Sequence, residues 1–414
     1  ILVDKRRVVF PDRDFLEQLR SCGNAIKRRA LKKLPALLEQ LEANCTRNGI
    51  QVHWAEDTTA ANDIVYDIVG RHGAQAVVKG KSMVSEEMHL NHFLEENGIE
   101  AVETDLGEFI IQLNHETPSH IIVPAIHKNN DEVASIFHDK IPDTPYTENV
   151  EELTAIARRV LRRRFAGTKV GLSGVNFAIA ETGTLLLVEN EGNGRMCTTV
   201  PDVHIAVMGL EKVVEKLSDV PPLLRLLTGS ATGQMITTYV NMISSPRRSG
   251  EKDGPREVHL IILDNGRSRM LADPEFRQTL LCIRCGTCLN HCPVYVRIGG
   301  HAYGHVYPGP IGKILTPQME GLERAGVLAT ASSLCGACGE VCPVRIPIPD
   351  LIRRLRNESY DQEGRAVVAG GGYKQNLAET LVWKGWELFN RSPLLNGIGT
   401  RLAGKLGDRL PKVG

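Results

Sequence analysis

The sequence predicts an α/β domain with a largely parallel sheet, followed by a smaller, mainly α-helical, cysteine-rich domain. Three observations predict it. Between about residues 50 and 265, short apolar segments alternate with amphipathic stretches, the pattern of strands joined by helical crossovers. From about residue 272 the strand signals stop, and cysteine, glycine and proline take over. Seven of the ten cysteines lie between Cys282 and Cys342. The division that follows is 1–50 as an N-terminal helical segment, 51–268 as the α/β domain, 269–360 as the cysteine-rich domain and 361–414 as a helical tail.

The first 50 residues carry Leu31, Leu34, Leu37, Leu38 and Leu41 at three- and four-residue steps, with Gly49 as a helix stop. Pro35 predicts a kink or a fresh helix start. The basic run Lys27–Arg28–Arg29 with Lys32 and Lys33 reads as a solvated face. Strands are expected at Gln51–Trp54, Ala76–Val78, Ile99–Val102, Ile121–Val123, Lys169–Leu172, Leu185–Val188, Ile205–Val207 and Val258–Leu263. Helices are expected over Thr59–Val69, Ser85–Glu96 (with Gly98 as its stop) and Glu151–Phe165, the last with exposed arginines. Ser244–Gly254, with Pro246, reads as a surface loop. A polar helix is expected near Asp350–Glu363, and a tail helix with Trp383, Trp386, Leu388 and Phe389 that packs on something.

Composition narrows the function classes. Lys+Arg and Asp+Glu are equal at 49 each, which gives no support for nucleic-acid binding. No stretch approaches the roughly 18–20 apolar residues a membrane helix needs. Asp4, Lys5, Arg6 and Arg7 follow almost directly on Ile1 and do not form a signal-peptide pattern. The resulting expectation is a cytoplasmic protein, with any membrane association made peripherally through a partner. Clustered Cys-x2-Cys spacing in such a chain points to metal rather than to disulfides. Cys22, Cys45 and Cys197 read as packed or free thiols.

The first motif is Cys282-x2-Cys285-x2-Cys288-x3-Cys292-Pro293. It matches the run in which three thiolates wrap one cubic cluster, while the fourth, before proline, serves the other. The small residues Gly286 and Thr287 let the backbone approach and donate N–H groups to sulfur. Structural zinc is the competing reading, but four cysteines in this spacing with a terminal proline favour iron–sulfur. The second motif is Cys335-x2-Cys338-x3-Cys342-Pro343, with Ser332 where a first cysteine would stand. The cross-over rule assigns Cys282, Cys285, Cys288 and Cys342 to one [4Fe–4S] cluster, and Cys292, Cys335 and Cys338 to a second. The second is read as [4Fe–4S] with one non-cysteine position, from Ser332, water or a partner, with [3Fe–4S] as the alternative. Two neighbouring clusters make an electron path. In the insert between the motifs, His301 and His305 read as loop hydrogen-bonders rather than ligands.

The α/β segment holds glycine-rich polar stretches near strand ends: Lys79-Gly80-Lys81-Ser82-Met83, Glu103-Thr104-Asp105-Leu106-Gly107-Glu108, Gly171 to Gly183, and Asn190-Glu191-Gly192-Asn193-Gly194-Arg195. Strand ends are where open α/β sheets place ligands, and Lys81 and Arg195 offer a seat for an anion. Neither the P-loop nor the GxGxxG fingerprint is present, so no nucleotide site is read. These stretches, with Lys81-Ser82-Met83-Val84-Ser85-Glu86-Glu87, Pro118-Ser119-His120-Ile121, Asn176 to Gly183, Leu263-Asp264-Asn265-Gly266-Arg267-Ser268, Gly300-His301-Ala302-Tyr303-Gly304 and both cysteine motifs, resemble the LutB-type lactate-utilisation iron–sulfur proteins over roughly residues 50–370. The resemblance implies a LUD-type α/β domain related to the NagB/RpiA/CoA-transferase fold, joined to a two-cluster ferredoxin domain. It also implies a part in oxidising L-lactate to pyruvate, beside a cysteine-rich LutA-type subunit and a second LUD protein of LutC type.

Three functions compete at this point. The first is the electron-transfer component of an L-lactate dehydrogenase complex, whose hydride-accepting chemistry lies on a partner. The second keeps the electron path but serves glycolate, another 2-hydroxy acid or a heterodisulfide-type reductase. The third is an α/β enzyme acting on a CoA-linked or phosphate ester with structural clusters, for which Glu181 is the candidate carboxylate.

Overall fold

The structure is a computed structural model that describes residues 1–359, 377–397 and 401. Its strands are β1 (Gln51–Ala55), β2 (Ala76–Lys79), β3 (Glu100–Glu103), β4 (Val170–Gly174), β5 (Phe177–Ile179), β6 (Thr184–Glu189), β7 (Val203–Gly209), β8 (Val213–Val214), β9 (Tyr239–Ile243) and β10 (Glu257–Leu263). Six of them form a sheet in the order β1-β10-β7-β4-β2-β3, parallel at every pairing. Its central strands β4 and β7 are buried along their whole length, as a parallel sheet covered on both faces requires. One face packs on Val65, Ile68, Leu90 and Leu94; Phe109, Phe137, Ile156 and Phe165 belong to a separate core beside Val78 and Val102.

A second, four-stranded sheet, β8-β5-β6-β9, was not expected from the sequence. Phe177–Ile179 and Val213–Val214 are too short to carry a periodic signal, and Tyr239–Ile243 alternates at half burial. The small sheet gives the N-terminal helices their packing partner. Arg13–Lys32 is capped by the Asp12 carboxylate, which accepts from the Phe15 N–H at 3.0 Å. A new helix, Leu34–Arg47, starts with Pro35 in its first turn. Leu34, Leu37 and Leu41 share one continuous core with Phe177, Leu186, Leu281, Ile314 and Leu351, so the N-terminal helices, the small sheet and the cysteine-rich unit are held by the same apolar mass. Fully burying each such leucine contributes roughly 1.5–3 kcal/mol.

Several expectations are corrected. Ser85–Glu96 is two helices, Met83–Glu87 and Leu90–Glu96, because His89 adopts a left-handed backbone with φ of 50°. Ile121–Val123 is a loop, held by its own hydrogen bonds to the His120 ring rather than by a neighbouring strand. Lys27 is 2% exposed and donates to the Glu211 carbonyl, so the basic run is not wholly a solvated face. The polar helix runs Ile348–Glu358, and the part of the expected span from 360 onward lies outside the described residues. The tail forms a helix at Leu377–Arg391, in which Trp383 and Trp386 are 53% and 59% exposed and meet edge to face; the rest of the expected tail lies outside the described residues. Among the described residues no helix is long and apolar enough to cross a membrane.

A buried histidine makes the sheet acid-sensitive. His204 on β7 is fully buried and meets the Ser173 hydroxyl at 2.8 Å, and burial holds its imidazole down to about 3. A depressed folded value means that the unfolded chain binds the proton first. Stability is therefore full above about pH 6.5 and falls as pH drops toward 3, at up to about 1.4 kcal/mol per unit. His204→Gln is expected to flatten the pH dependence of the thermal midpoint between pH 6.5 and 4.5; an unchanged slope would show that His204 is not a source of it.

Candidate metal centre and the adjoining cleft

The two cysteine motifs adopt the same local conformation. Cys285 is flanked by Arg284 and Gly286, and Cys335 by Leu334 and Gly336; all four flanking residues have positive φ, at 60°, 70°, 56° and 86°. A non-glycine residue in this region is uncommon, and it recurs at the same position of both motifs. In each motif a short helix follows, Thr287–Asn290 bearing Cys288 and Ala337–Val341 bearing Cys338. Each then ends on a Cys-Pro step, at Cys292 and at Cys342. Backbone N–H groups donate to sulfur: Arg284 to Cys282 at 3.4 Å, Tyr295 to Cys292 at 3.5 Å and Ile346 to Cys342 at 3.3 Å.

Cys282, Cys285, Cys288 and Cys342 converge on one apolar cavity, walled by Ile121, Ile283, Ile311, Val344 and Ile346. The fourth sulfur thus comes from the second motif. Burial pushes the Cys285, Cys288 and Cys342 thiols up. Four sulfurs gathered in a dry cavity, with N–H donors aimed at them, suit a thiolate-ligated metal group. Cys338 lies within electrostatic reach of Cys292 and Cys335. The Lys313 ammonium, on a fully buried side chain, is 3.8 Å from the Cys292 sulfur. This second group is more open: Cys335 is exposed, and Ser332 is half-buried with its hydroxyl oxygen accepting from the Leu334 N–H at 3.2 Å. Cys22 is exposed, Cys45 is buried in the large core under the helix Leu34–Arg47, and Cys197 is buried in a separate core.

Behind Cys282 lies a buried charge network that the sequence did not reveal. Glu211 accepts from Arg267 at 2.7 Å and from Arg284 at 3.1 Å. Arg267 makes a two-pronged pair with Glu87 at 2.8 Å each, and Glu87 also accepts from Asn265 and the Tyr307 hydroxyl at 2.8 Å. The Arg284 guanidinium stacks 4.9 Å from the Tyr307 ring centre. Burial alone would raise Glu211, but Arg267 and Arg284 overcome it and hold the carboxyl down to about 2. Burial pulls Lys27 and Lys212 down to about 8. Arg267 and Asn265 sit in the Leu263–Ser268 stretch, where only long-range pairing assigns them a role.

At the ends of β2 and β3, Lys79 pairs with Glu86 at 2.8 Å and with Glu103, while Lys81 pairs with Glu108. Lys81 is therefore spent on a carboxylate and is not the free anion seat that the sequence suggested. Arg195 is exposed, and its backbone N–H is bound by Glu189 at 2.6 Å. Glu181 accepts from the Leu217 N–H at 3.0 Å, a structural bond at a turn.

Next to the first cavity runs a cleft of 1010 Å³ between the α/β unit and the insert of the cysteine-rich unit. The insert is fastened to residues 117–119 at three points. Tyr295 donates to the Ser119 carbonyl at 2.7 Å and His301 to the Thr117 carbonyl at 2.8 Å, and a side chain at Gly300 would overlap the Ser119 carbonyl. His305 lies 3.4 Å from Glu320. His301 thus acts as a hydrogen-bonding group, as expected.

Three family models match parts of the chain: the LUD domain over residues 38–263, a 4Fe-4S dicluster domain over 278–346, and the Lactate utilisation protein B C-terminal region over 354–414. The chain is 43% identical over 388 residues to "Lactate utilization protein B" of Bacillus velezensis, covering 94% of this chain and 79% of the relative. It is 44% identical over 354 residues to that of Bacillus subtilis, covering 85% and 74%. A solved "duf162 family protein" from Deinococcus radiodurans shares 15% identity over 56% of this chain and 98% of its own, at a TM-score of 0.32, too loose a likeness to build on.

Proposed function

The chain belongs to the Lactate utilization protein B family, a lactate-utilisation iron–sulfur protein, and from that premise we propose that it is the electron-transfer component of a multi-protein system oxidising L-lactate to pyruvate. The observation that carries this reading is the convergence of Cys282, Cys285, Cys288 and Cys342 on one cavity, with Cys292, Cys335 and Cys338 grouped beside it. In this reading the first four thiolates hold one [4Fe–4S] cluster and the remaining three hold a second, [4Fe–4S] with a non-cysteine position or [3Fe–4S]. When bound, such clusters supply a pair of one-electron carriers.

The chain's own residues set the conditions for that role. Backbone N–H groups of Arg284, Tyr295 and Ile346 donate to the sulfurs, which favours their thiolate form. Arg284, Lys27 and Lys212 place positive charge near Cys282, and Lys313 does so at Cys292. Apolar walls exclude water from the first group, whereas exposed Cys335 marks the second as the side open to a partner. Oxidising lactate to pyruvate releases two electrons and two protons. No flavin or nicotinamide fingerprint is present in the sequence, so the hydride acceptor is assigned to a partner, with a LutA-type cysteine-rich subunit and a LutC-type LUD protein as the expected companions. The same reading places the protein in the cytoplasm, and it treats the α/β unit as NagB/RpiA/CoA-transferase-like on the support of its six parallel strands.

A strain lacking this gene is expected to lose growth on L-lactate as sole carbon source and to regain it with the wild-type chain. Normal growth in a strain with no other lactate dehydrogenase would overturn the assignment.

A further inference from the structure

We propose that His72, Glu257 and His259 form a binding site for a zinc ion on the α/β unit, with His53 orienting one of its ligands. The site lies at the start of β10, whereas the cysteine-rich unit adjoins the other ends of the strands, at Glu211 after β7 and Arg267 after β10. It is therefore separate from the seven clustered cysteines and independent of the electron-transfer role.

The fold gathers these side chains from three elements. Glu257 and His259 stand two residues apart on β10, so both project from the same face of the sheet. His53, on β1, shares that face, because β1 pairs in parallel with β10 and sets Gln51 beside His259. The helix Thr58–Arg71 packs over the face and ends on His72. The Nε2 of His72 lies 3.3 Å from one carboxylate oxygen of Glu257, and the Nε2 of His259 lies 3.4 Å from the same oxygen. All three ligand atoms fall within 4.8 Å of one another. Zinc bonds of ~2.0–2.1 Å in a tetrahedron set ligand atoms ~3.3–3.4 Å apart, so two edges of such a site are already in place.

Two further observations favour a metal over a plain histidine–glutamate hydrogen bond. His259 is 0% exposed, and its Nε2 makes no regular hydrogen bond; its contact is the long approach to Glu257. A directed pair of this type is shorter, as between His127 and Glu116 at 2.7 Å. The other ring nitrogen of His259, Nδ1, lies 3.1 Å from the His53 Nε2. When Nδ1–H donates to His53, the Nε2 lone pair is free and aimed at Glu257, which is how an outer partner fixes the tautomer of a metal-bound histidine. His72 and Glu257 are partly exposed, so water reaches the position left for a fourth ligand. Arg71 opposes a cation there, but it is exposed and turns back to the Asp67 carbonyl at 3.4 Å, where solvent screens it. Two imidazoles and one carboxylate suit zinc and not magnesium, which prefers oxygen ligands.

The test uses the full chain, reconstituted anaerobically with iron and sulfide so that the clustered cysteines are occupied, and titrated calorimetrically with zinc chloride and with magnesium chloride. Saturable uptake of one zinc per chain is expected at unchanged iron content, with no heat from magnesium. X-ray absorption at the zinc edge, which needs no variant, should show a nitrogen and oxygen shell at ~2.0–2.1 Å and no sulfur shell at ~2.3 Å. His72→Ala and Glu257→Gln, at partly exposed positions, are each expected to weaken zinc by ~10-fold or more, and His53→Phe by ~10–100-fold as an outer partner. No saturable zinc binding, a sulfur shell, loss of iron in step with zinc uptake, or unaltered affinity in these variants would overturn the site.

Discussion

Cys342→Ala is expected to cost the protein about half of its iron and acid-labile sulfide, and to do so in the same way as Cys288→Ala. The two residues belong to different motifs but line the same cavity with Cys282 and Cys285. Each [4Fe–4S] site needs its thiolates in place, so three sulfurs around a cavity built for four leave the site weakened. Because metal binding free energy is also folding free energy at such sites, both variants should lose thermal stability together. Cys335→Ala and Cys292→Ala should instead form a second matching pair, since both belong to the other group. Iron and sulfide analysis with low-temperature EPR of the four anaerobically purified variants makes the comparison. Should Cys342→Ala match Cys335→Ala rather than Cys288→Ala, each motif would be holding its own cluster, and the crossed assignment would be wrong.

Glu211→Gln is expected to destabilise the chain by about 3–5 kcal/mol, the penalty for stranding buried charge. Glu211 is 1% exposed, and Arg267, Arg284 and Lys27 all converge on it. Those cations are themselves buried, so none can turn to water when the carboxylate is lost. At roughly 2–4 °C per kcal/mol for a unit of this size, the thermal midpoint should fall by about 10 °C. Replacing Arg267 by Met in the same chain should recover part of the loss, because it removes one of the stranded charges. A shift within about 2 °C for the single variant would mean that the network is far more hydrated than its burial indicates. The network also joins five stretches distant in sequence: Glu87 after β2, Glu211 after β7, Asn265 and Arg267 after β10, Arg284 between two cysteines, and Tyr307 in the insert. Its loss is therefore expected to loosen the seat of the cysteine-rich unit on the α/β unit.

Much of the architecture was legible because it is written in local patterns. The strands at Ala76, Val170, Val203 and Glu257 are short, mainly apolar runs, and a parallel sheet buried on both faces leaves little ambiguity in them. Helix boundaries at Pro35 and Gly98 follow from backbone chemistry that acts over one turn. The small sheet was hidden because two of its strands are only two and three residues long. The break at His89 was hidden because nothing local demands a left-handed residue there. Lys27 reads as one more surface cation until Glu211, distant in the chain, is brought beneath it.

What the sequence determined by itself was the chemistry: seven cysteines at spacings that suit cubic clusters, and family motifs spread over most of the chain. What only the tertiary structure decided was which groups meet. It brings Cys342 to the other three sulfurs and spends Lys81 on Glu108. The division has a physical cause. Backbone turns and ligand spacings depend on neighbours a few residues away. Charge pairing, burial and unsatisfied donors depend on distances across the fold, which no local pattern records.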